Sequence, residues 1–122
     1  MGTFFVEALV AAQQTPEHRE PFKLLVDSGS TYTWIAAARL RALSVAPTER
    51  RRVVTIEGQV VARDTAEILI TLEGRTLHTI CLFGDAGDLD VLGAFTLEGF
   101  GLGIDPVQRK LIPIIQYGAA AA

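Results

Sequence analysis

Leu24-Leu25-Val26-Asp27-Ser28-Gly29-Ser30-Thr31-Tyr32-Thr33-Trp34-Ile35 drives an apolar run directly into a carboxylate seated on a Ser-Gly-Ser turn. Val26 and Ile35 bracket the turn with β-branched residues, so the chain returns to extended structure at once. A carboxylate beside a buried strand needs hydrogen-bond donors or a chemical use. Donors are close by: the backbone N–H groups after Asp27 and the hydroxyls of Ser28, Ser30 and Thr31 are all expected to reach a carboxylate oxygen.

The chain around this stretch has 122 residues, of which 49% are apolar and 20% charged, with a net charge of −3. That length suits one domain with a real core, expected over residues 1–117 with a low-complexity tail over 118–122. The composition excludes a disordered chain, and the charge gives no reason to bind nucleic acid or an anionic membrane. The single cysteine, Cys81, forms no internal disulfide and reads as a buried thiol. Thr3 to Ala12 is apolar but short, carries Glu7 and lacks a basic flank, so it reads as neither a membrane span nor a signal peptide. The expectation is a soluble, cytoplasmic protein.

Along the chain, Thr3 to Val10 reads as a strand, Ala11 to Glu20 as a polar return, and Phe22 to Val26 as the strand that delivers Asp27. Ala36 to Leu43 is rich in helix formers, with Leu40 and Leu43 on one face, and predicts a short helix. Ser44 to Arg52 reads as a loop, its run Arg50-Arg51-Arg52 a solvated edge or, less simply, a contact for an acidic side chain. Val53 to Ile56 predicts a strand, Glu57-Gly58-Gln59 a turn, and Val60 to Leu72 a long strand of period two. A hairpin with a Gly at its tip and one long arm suits a flap, though ordinary hairpins share those features. Thr76 to Phe83 is a further strand. The acidic loop Gly84 to Asp90 lacks the spacing and closing Glu of an EF-hand, and Glu17-His18-Arg19-Glu20 lacks a second His, so no metal site is expected. No cofactor motif is present.

Asp90-Val91-Leu92-Gly93-Ala94-Phe95 is the second informative stretch. Two apolar side chains before a Gly can pack beneath another loop, the Gly allowing close backbone approach. Thr96 to Gly99 suits a short helix ended by Gly99 or Gly101. Leu102 to Pro106 and Lys110 to Ile115 read as strands. Asp27-Ser28-Gly29-Ser30 after apolar residues, Trp34-Ile35 downstream and Val91-Leu92-Gly93 late in the chain together resemble the single-domain, retropepsin-like aspartic proteases of bacterial and archaeal type, with a pepsin-like active-site loop. The resemblance covers Phe22 to Pro113. It implies an all-β, single-lobe fold with one or two short helices, closed by homodimerisation.

The resemblance also implies roles. Asp27 is the catalytic carboxylate, one from each protomer of a homodimer, and the substrate is an extended peptide or protein. Ser28, Gly29, Ser30 and Thr31 support the loop: Gly29 by its N–H, Ser28 by linking the two loops across the dyad, Ser30 by donating to the outer carboxylate oxygen. Such a donor favours the ionised form and implies a more acidic activity optimum than with Ala at that place. Ile56, Glu57, Gly58 and Gln59 are the substrate-covering flap, and Val91, Leu92 and Gly93 underpin the site. Trp34 fits core packing better than substrate contact. Retropepsins place an Arg after the late Gly as a dimer brace; here Ala94 stands there. The rival reading is a catalytically silent dimer that binds peptide or serves as an assembly module. A serine hydrolase built on Ser28 or Ser30 lacks the Gly-x-Ser-x-Gly elbow.

Overall fold

A computed structural model describes residues 3–121. Nine strands and two short helices follow one another: β1 (Phe5–Ala11), β2 (Glu20–Val26), β3 (Thr33–Ala36), α1 (Ala37–Ala42), β4 (Glu49–Val54), β5 (Val60–Leu72), β6 (Arg75–Gly84), β7 (Val91–Leu92), α2 (Ala94–Phe100), β8 (Leu102–Asp105) and β9 (Lys110–Pro113). The all-β architecture with two short helices is the expected one. Residues 118–121 continue in irregular structure, and Ala122 of the expected tail lies outside the described residues.

Seven strands form one sheet in the order β1-β2-β7-β3-β6-β5-β4. Leu9–Ala11 of β1 also pair with Leu69–Thr71 of β5, so the sheet closes into a ring of six strands that leaves β4 outside. Closure removes exposed sheet edges around the core. Alternation places the side chains: Phe22, Leu24 and Val26 of β2 point inward, as do Ala66, Ile68, Ile70 and Leu72 of β5. Each large aliphatic chain buried here stabilises the fold by about 2 kcal/mol. β8 and β9 form a separate two-stranded sheet.

The helices end where their sequences stop them. Leu40 of α1 is fully buried and Leu43, just past its end, nearly so, while Ser44 takes a positive φ of 66°. In α2 the chain leaves through Gly101, whose φ of 67° is the left-handed conformation that ends many helices.

Three expectations need correction. Arg50, Arg51 and Arg52 are not in a loop; they belong to β4, which begins at Glu49. The cause is non-local, because β4 pairs along its whole length with β5, from Glu49↔Thr65 to Val54↔Val60. Ile56, expected to end that strand, lies in the turn instead. The β5 alternation holds from Ala66 onward but not before it. Thr65 is buried, and the first half of the strand forms the half-exposed arm shared with β4.

Candidate active site

β7 is the element that positions Asp27. It lies between β2 and β3, parallel to the first (Leu25↔Val91, Val26↔Leu92) and antiparallel to the second (Trp34↔Val91). The Leu92 carbonyl accepts from Asp27 N–H at 3.0 Å, so the acid leaves β2 with its main chain still tethered. Beyond Gly93, Ala94 N–H donates to Ser30 O at 2.7 Å and Phe95 N–H to Thr31 O at 2.8 Å. The late stretch therefore threads under the Asp27 turn and stitches it from below. Val91 and Leu92 are buried. A Cβ on residue 93 would sit 2.4 Å from the carbonyl carbon and oxygen of Tyr32 and 2.8 Å from Ser30 O. No side chain fits there, which gives the required glycine a geometric reason.

Beneath the turn lies a buried hydroxyl cluster that no local motif announces. Thr33 and Thr96 hydroxyls are 2.7 Å apart, Thr96 and Thr79 hydroxyls 2.7 Å, and Gly93 N–H donates to Thr33 Oγ1 at 3.1 Å. All three threonines are buried, so the cluster joins β3, β6 and α2 to Gly93 without an unpaired polar group. Asp90 adds a further tie: its carboxylate accepts from Ala36 N–H at 2.9 Å, at the start of α1.

Above this floor the Asp27 carboxylate is exposed. Gly29 N–H donates to Asp27 Oδ1 at 2.9 Å, as expected for that glycine. The expected hydroxyl donors do not join it. Ser30 Oγ donates to the Tyr32 carbonyl at 2.7 Å, and a hydroxyl has one proton to give. Ser28 and Thr31 are exposed, and among the described residues their hydroxyls make no bond to the carboxylate. Donation from Ser30 to the outer carboxylate oxygen, the role expected of it, is therefore not made in this structure.

A cleft of about 380 Å³ opens beside the turn, walled by Gly29 to Tyr32 and Trp34 on one side and by Arg52 to Thr55 of the β4 arm on the other. Trp34 is only half-buried and lines this cleft, so packing in the core was the wrong expectation. Arg63 of β5 lies 5.7 Å above the Trp34 ring, held by Asp88 at 3.1 Å and Asp85 at 3.5 Å. The acidic loop thus serves as an anchor for this arginine. Tyr32 is fixed likewise: Arg51 Nη1 donates to its hydroxyl at 2.6 Å, and its ring packs on Phe95 with centroids 5.8 Å apart. The hydrogen bond to Glu49 holds the Arg51 guanidinium's pKa above its ordinary value.

The hairpin tip Ile56-Glu57-Gly58-Gln59 is fully exposed, with Gly58 at φ 84°. Thr55 N–H donates to Gln59 O at 2.8 Å and Gly58 N–H to Thr55 O at 2.9 Å, closing the turn. The residues facing the cleft are those of the β4 arm, Arg52 to Thr55, rather than the tip itself. Cys81 is fully buried, and burial pushes its thiol pKa up, so it stays protonated. Among the described residues no group of His, Cys, Asp and Glu is arranged to hold a metal ion. No helix among them is long and apolar enough to cross a membrane.

With this geometry in hand, the comparison with solved structures is informative. A structure described as EIAV protease complexed with the inhibitor HBY-793 superposes with a TM-score of 0.62, covering 82% of this chain and 89% of that one at 17% identity. The fold is that of a single retropepsin lobe. No family model matches the sequence, and no curated protein matches it either. At 17% identity the likeness concerns the fold alone.

Proposed function

We propose that the chain is one half of a homodimeric aspartic endopeptidase. The observation that carries this reading is the exposed Asp27 carboxylate, oriented at 2.9 Å by the N–H of Gly29, a residue that itself lines the cleft beside the turn. Hydrolysis of this class uses two carboxylates around one water, and this chain has one Asp-Ser-Gly. The second must come from a twofold-related copy, which makes dimerisation part of the mechanism. Like charges about 3 Å apart do not both ionise, so the pair shares one proton. The ionised member takes a proton from the water, whose oxygen adds to the scissile carbonyl carbon. The protonated member donates to the carbonyl oxygen. The tetrahedral intermediate then collapses, the C–N bond breaks, and the leaving nitrogen takes up a proton.

Ser28, exposed beside Asp27, is free to bridge the two turns across the dyad. The substrate lies extended in the cleft and pairs its backbone with the β4–β5 arm as an added strand. Val91, Leu92 and Gly93 hold the floor, and Ile56 to Gln59 close over the ligand. Cleavage of an unstructured protein at about pH 4 to 6 tests the reading. Asp27→Asn is expected to lower the rate by about 10³-fold or more while leaving the fold intact. A dimer that binds peptide and never cuts it, or cutting that survives Asp27→Asn, contradicts the proposal and favours a binding module.

A further inference from the structure

We propose that Arg63 seats the β4–β5 arm on the cleft wall, making the rung Arg51–Arg63 the pivot about which the rest of the arm moves. This rests on the reading of the cleft as a peptide site with the arm as its cover, and says where that cover is fixed. Cross-strand partners share one face of a sheet, and Arg51 stands opposite Arg63 as Val53 stands opposite Val61. Alternation turns the side chains of Arg50, Arg52 and Val54 to the exposed face. Arg51 reaches the Tyr32 hydroxyl and Arg63 lies over the Trp34 ring, so their rung faces the cleft wall. Like charges directly opposite each other repel, and both are neutralised here. Arg51 pairs with Glu49 at 2.8 Å, and Arg63 with Asp88 at 3.1 Å and Asp85 at 3.5 Å.

The two arginines differ in what their acids hold. Glu49 belongs to β4 itself, so its pair with Arg51 stays within the arm. Asp85 and Asp88 belong to the loop between β6 and β7, so the Arg63 pairs cross from the arm to the body of the sheet. Asp88 is fixed in turn by the Asp85 N–H at 2.7 Å. The Arg63 side chain is 16% exposed, against 63% for Arg50 on the outer face. A doubly paired, largely buried guanidinium is held far more firmly than a surface one. Beyond the rung the ties stop. Among the described residues no hydrogen bond or ion pair joins Arg52 to Ala62 to anything outside the arm; the bonds there run between its own two strands and within its turn. The arm is therefore pinned at Arg63 and free beyond it.

Trp34 is the single tryptophan of the chain, so its fluorescence reports on this contact directly. In the full chain, Arg63→Gln should raise acrylamide quenching of Trp34 about twofold as the ring loses the guanidinium over it. Amide exchange from Arg51 to Arg63 should quicken about tenfold as the arm opens. Arg63→Lys keeps the charge without the planar fork and should restore part of both. Asp88→Asn should act in the same direction, and the double variant should add little to either single one. Arg50→Gln removes an ion pair from the exposed face of the same arm and should leave Trp34 quenching alone. Unchanged quenching and exchange in Arg63→Gln, an equal response to Arg50→Gln, or full additivity with Asp88→Asn overturns the inference. Peptide binding is read separately, by anisotropy of a fluorescein-labelled extended peptide of about ten residues centred on Leu-Phe, with chains carrying Asp27→Asn so that the peptide stays intact. Adding Arg63→Gln should weaken that binding about fivefold, since a cover that wanders must be ordered again by its ligand. A loosened arm that binds peptide as tightly as before also overturns the inference. If neither chain binds peptide while Trp34 and exchange respond as stated, Arg63 still seats the arm and the peptide reading of the cleft falls instead.

Discussion

The floor under Asp27 and the β4–β5 arm above it are built on opposite terms. The floor is buried and fully bonded: β7 lies between two strands, three threonine hydroxyls satisfy one another, and Gly93 sits where no Cβ fits. The arm is open. Val54, Ile56 and Val60 expose most of their surface, and one charged pair, Arg50 with Asp64, crosses from β4 to β5 at the rim. Surface pairs of that kind contribute little, whereas dense packing tolerates little change. Under the proposed function this contrast is a division of labour. A reacting carboxylate must be placed to a fraction of an ångström, and a cover over a ligand must be free to move.

Substitutions in the floor and in the arm should have very different effects. The largest expected effect on stability lies in the floor. Gly93→Ala drives a methyl into the Tyr32 carbonyl and should lower stability by about 3 kcal/mol in denaturant titration. A loss below about 1 kcal/mol would mean that the loop yields and the floor is not rigid. Thr96→Val keeps the shape but strands the hydroxyl of Thr79 and leaves that of Thr33 with the Gly93 N–H alone, and should cost about 2 kcal/mol by the same measurement. Ser30→Ala removes the bond to the Tyr32 carbonyl and should cost about 1 kcal/mol. Because that hydroxyl does not touch the carboxylate here, the pH–rate profile should stay in place. A shift toward higher pH would show that the hydroxyl turns to Asp27 in the assembled dimer. The smallest effect lies at the tip: Ile56→Ser should change stability by less than about 0.5 kcal/mol, since Ile56 buries nothing. If the arm covers substrate, the same variant should raise KM for a peptide substrate while leaving kcat near its starting value.

The parts legible in the sequence were those with local causes. Asp27-Ser28-Gly29 follows its strand, Gly93 follows two apolar residues, Leu40 and Leu43 mark one helix face, and the alternation from Ala66 to Leu72 marks a strand. The parts that were not legible depend on partners far along the chain. Arg50 to Arg52 read as a solvated loop because nothing adjacent holds them; Ala62 to Asp64, about ten residues on, makes them a strand. The threonine cluster joins residues up to 63 positions apart, and a lone Thr in a strand carries no sign of it. Trp34 read as core because aromatic residues usually are, but the cleft keeps one side of it open. Ser30 illustrates a subtler limit. The sequence places a donor near the acid, yet the choice between two nearby acceptors is made by the turn's geometry.

A hydrolase built this way needs two copies of the chain to set their Asp27 carboxylates around one water. A crystal structure of the protein with a statine-type peptide mimic measures this directly. The expected result is a twofold dimer whose Asp27 carboxylates approach to about 3 Å, with the mimic's hydroxyl between them. A monomer in complex with the mimic, or a dimer that holds the two carboxylates too far apart to share a proton, would contradict it.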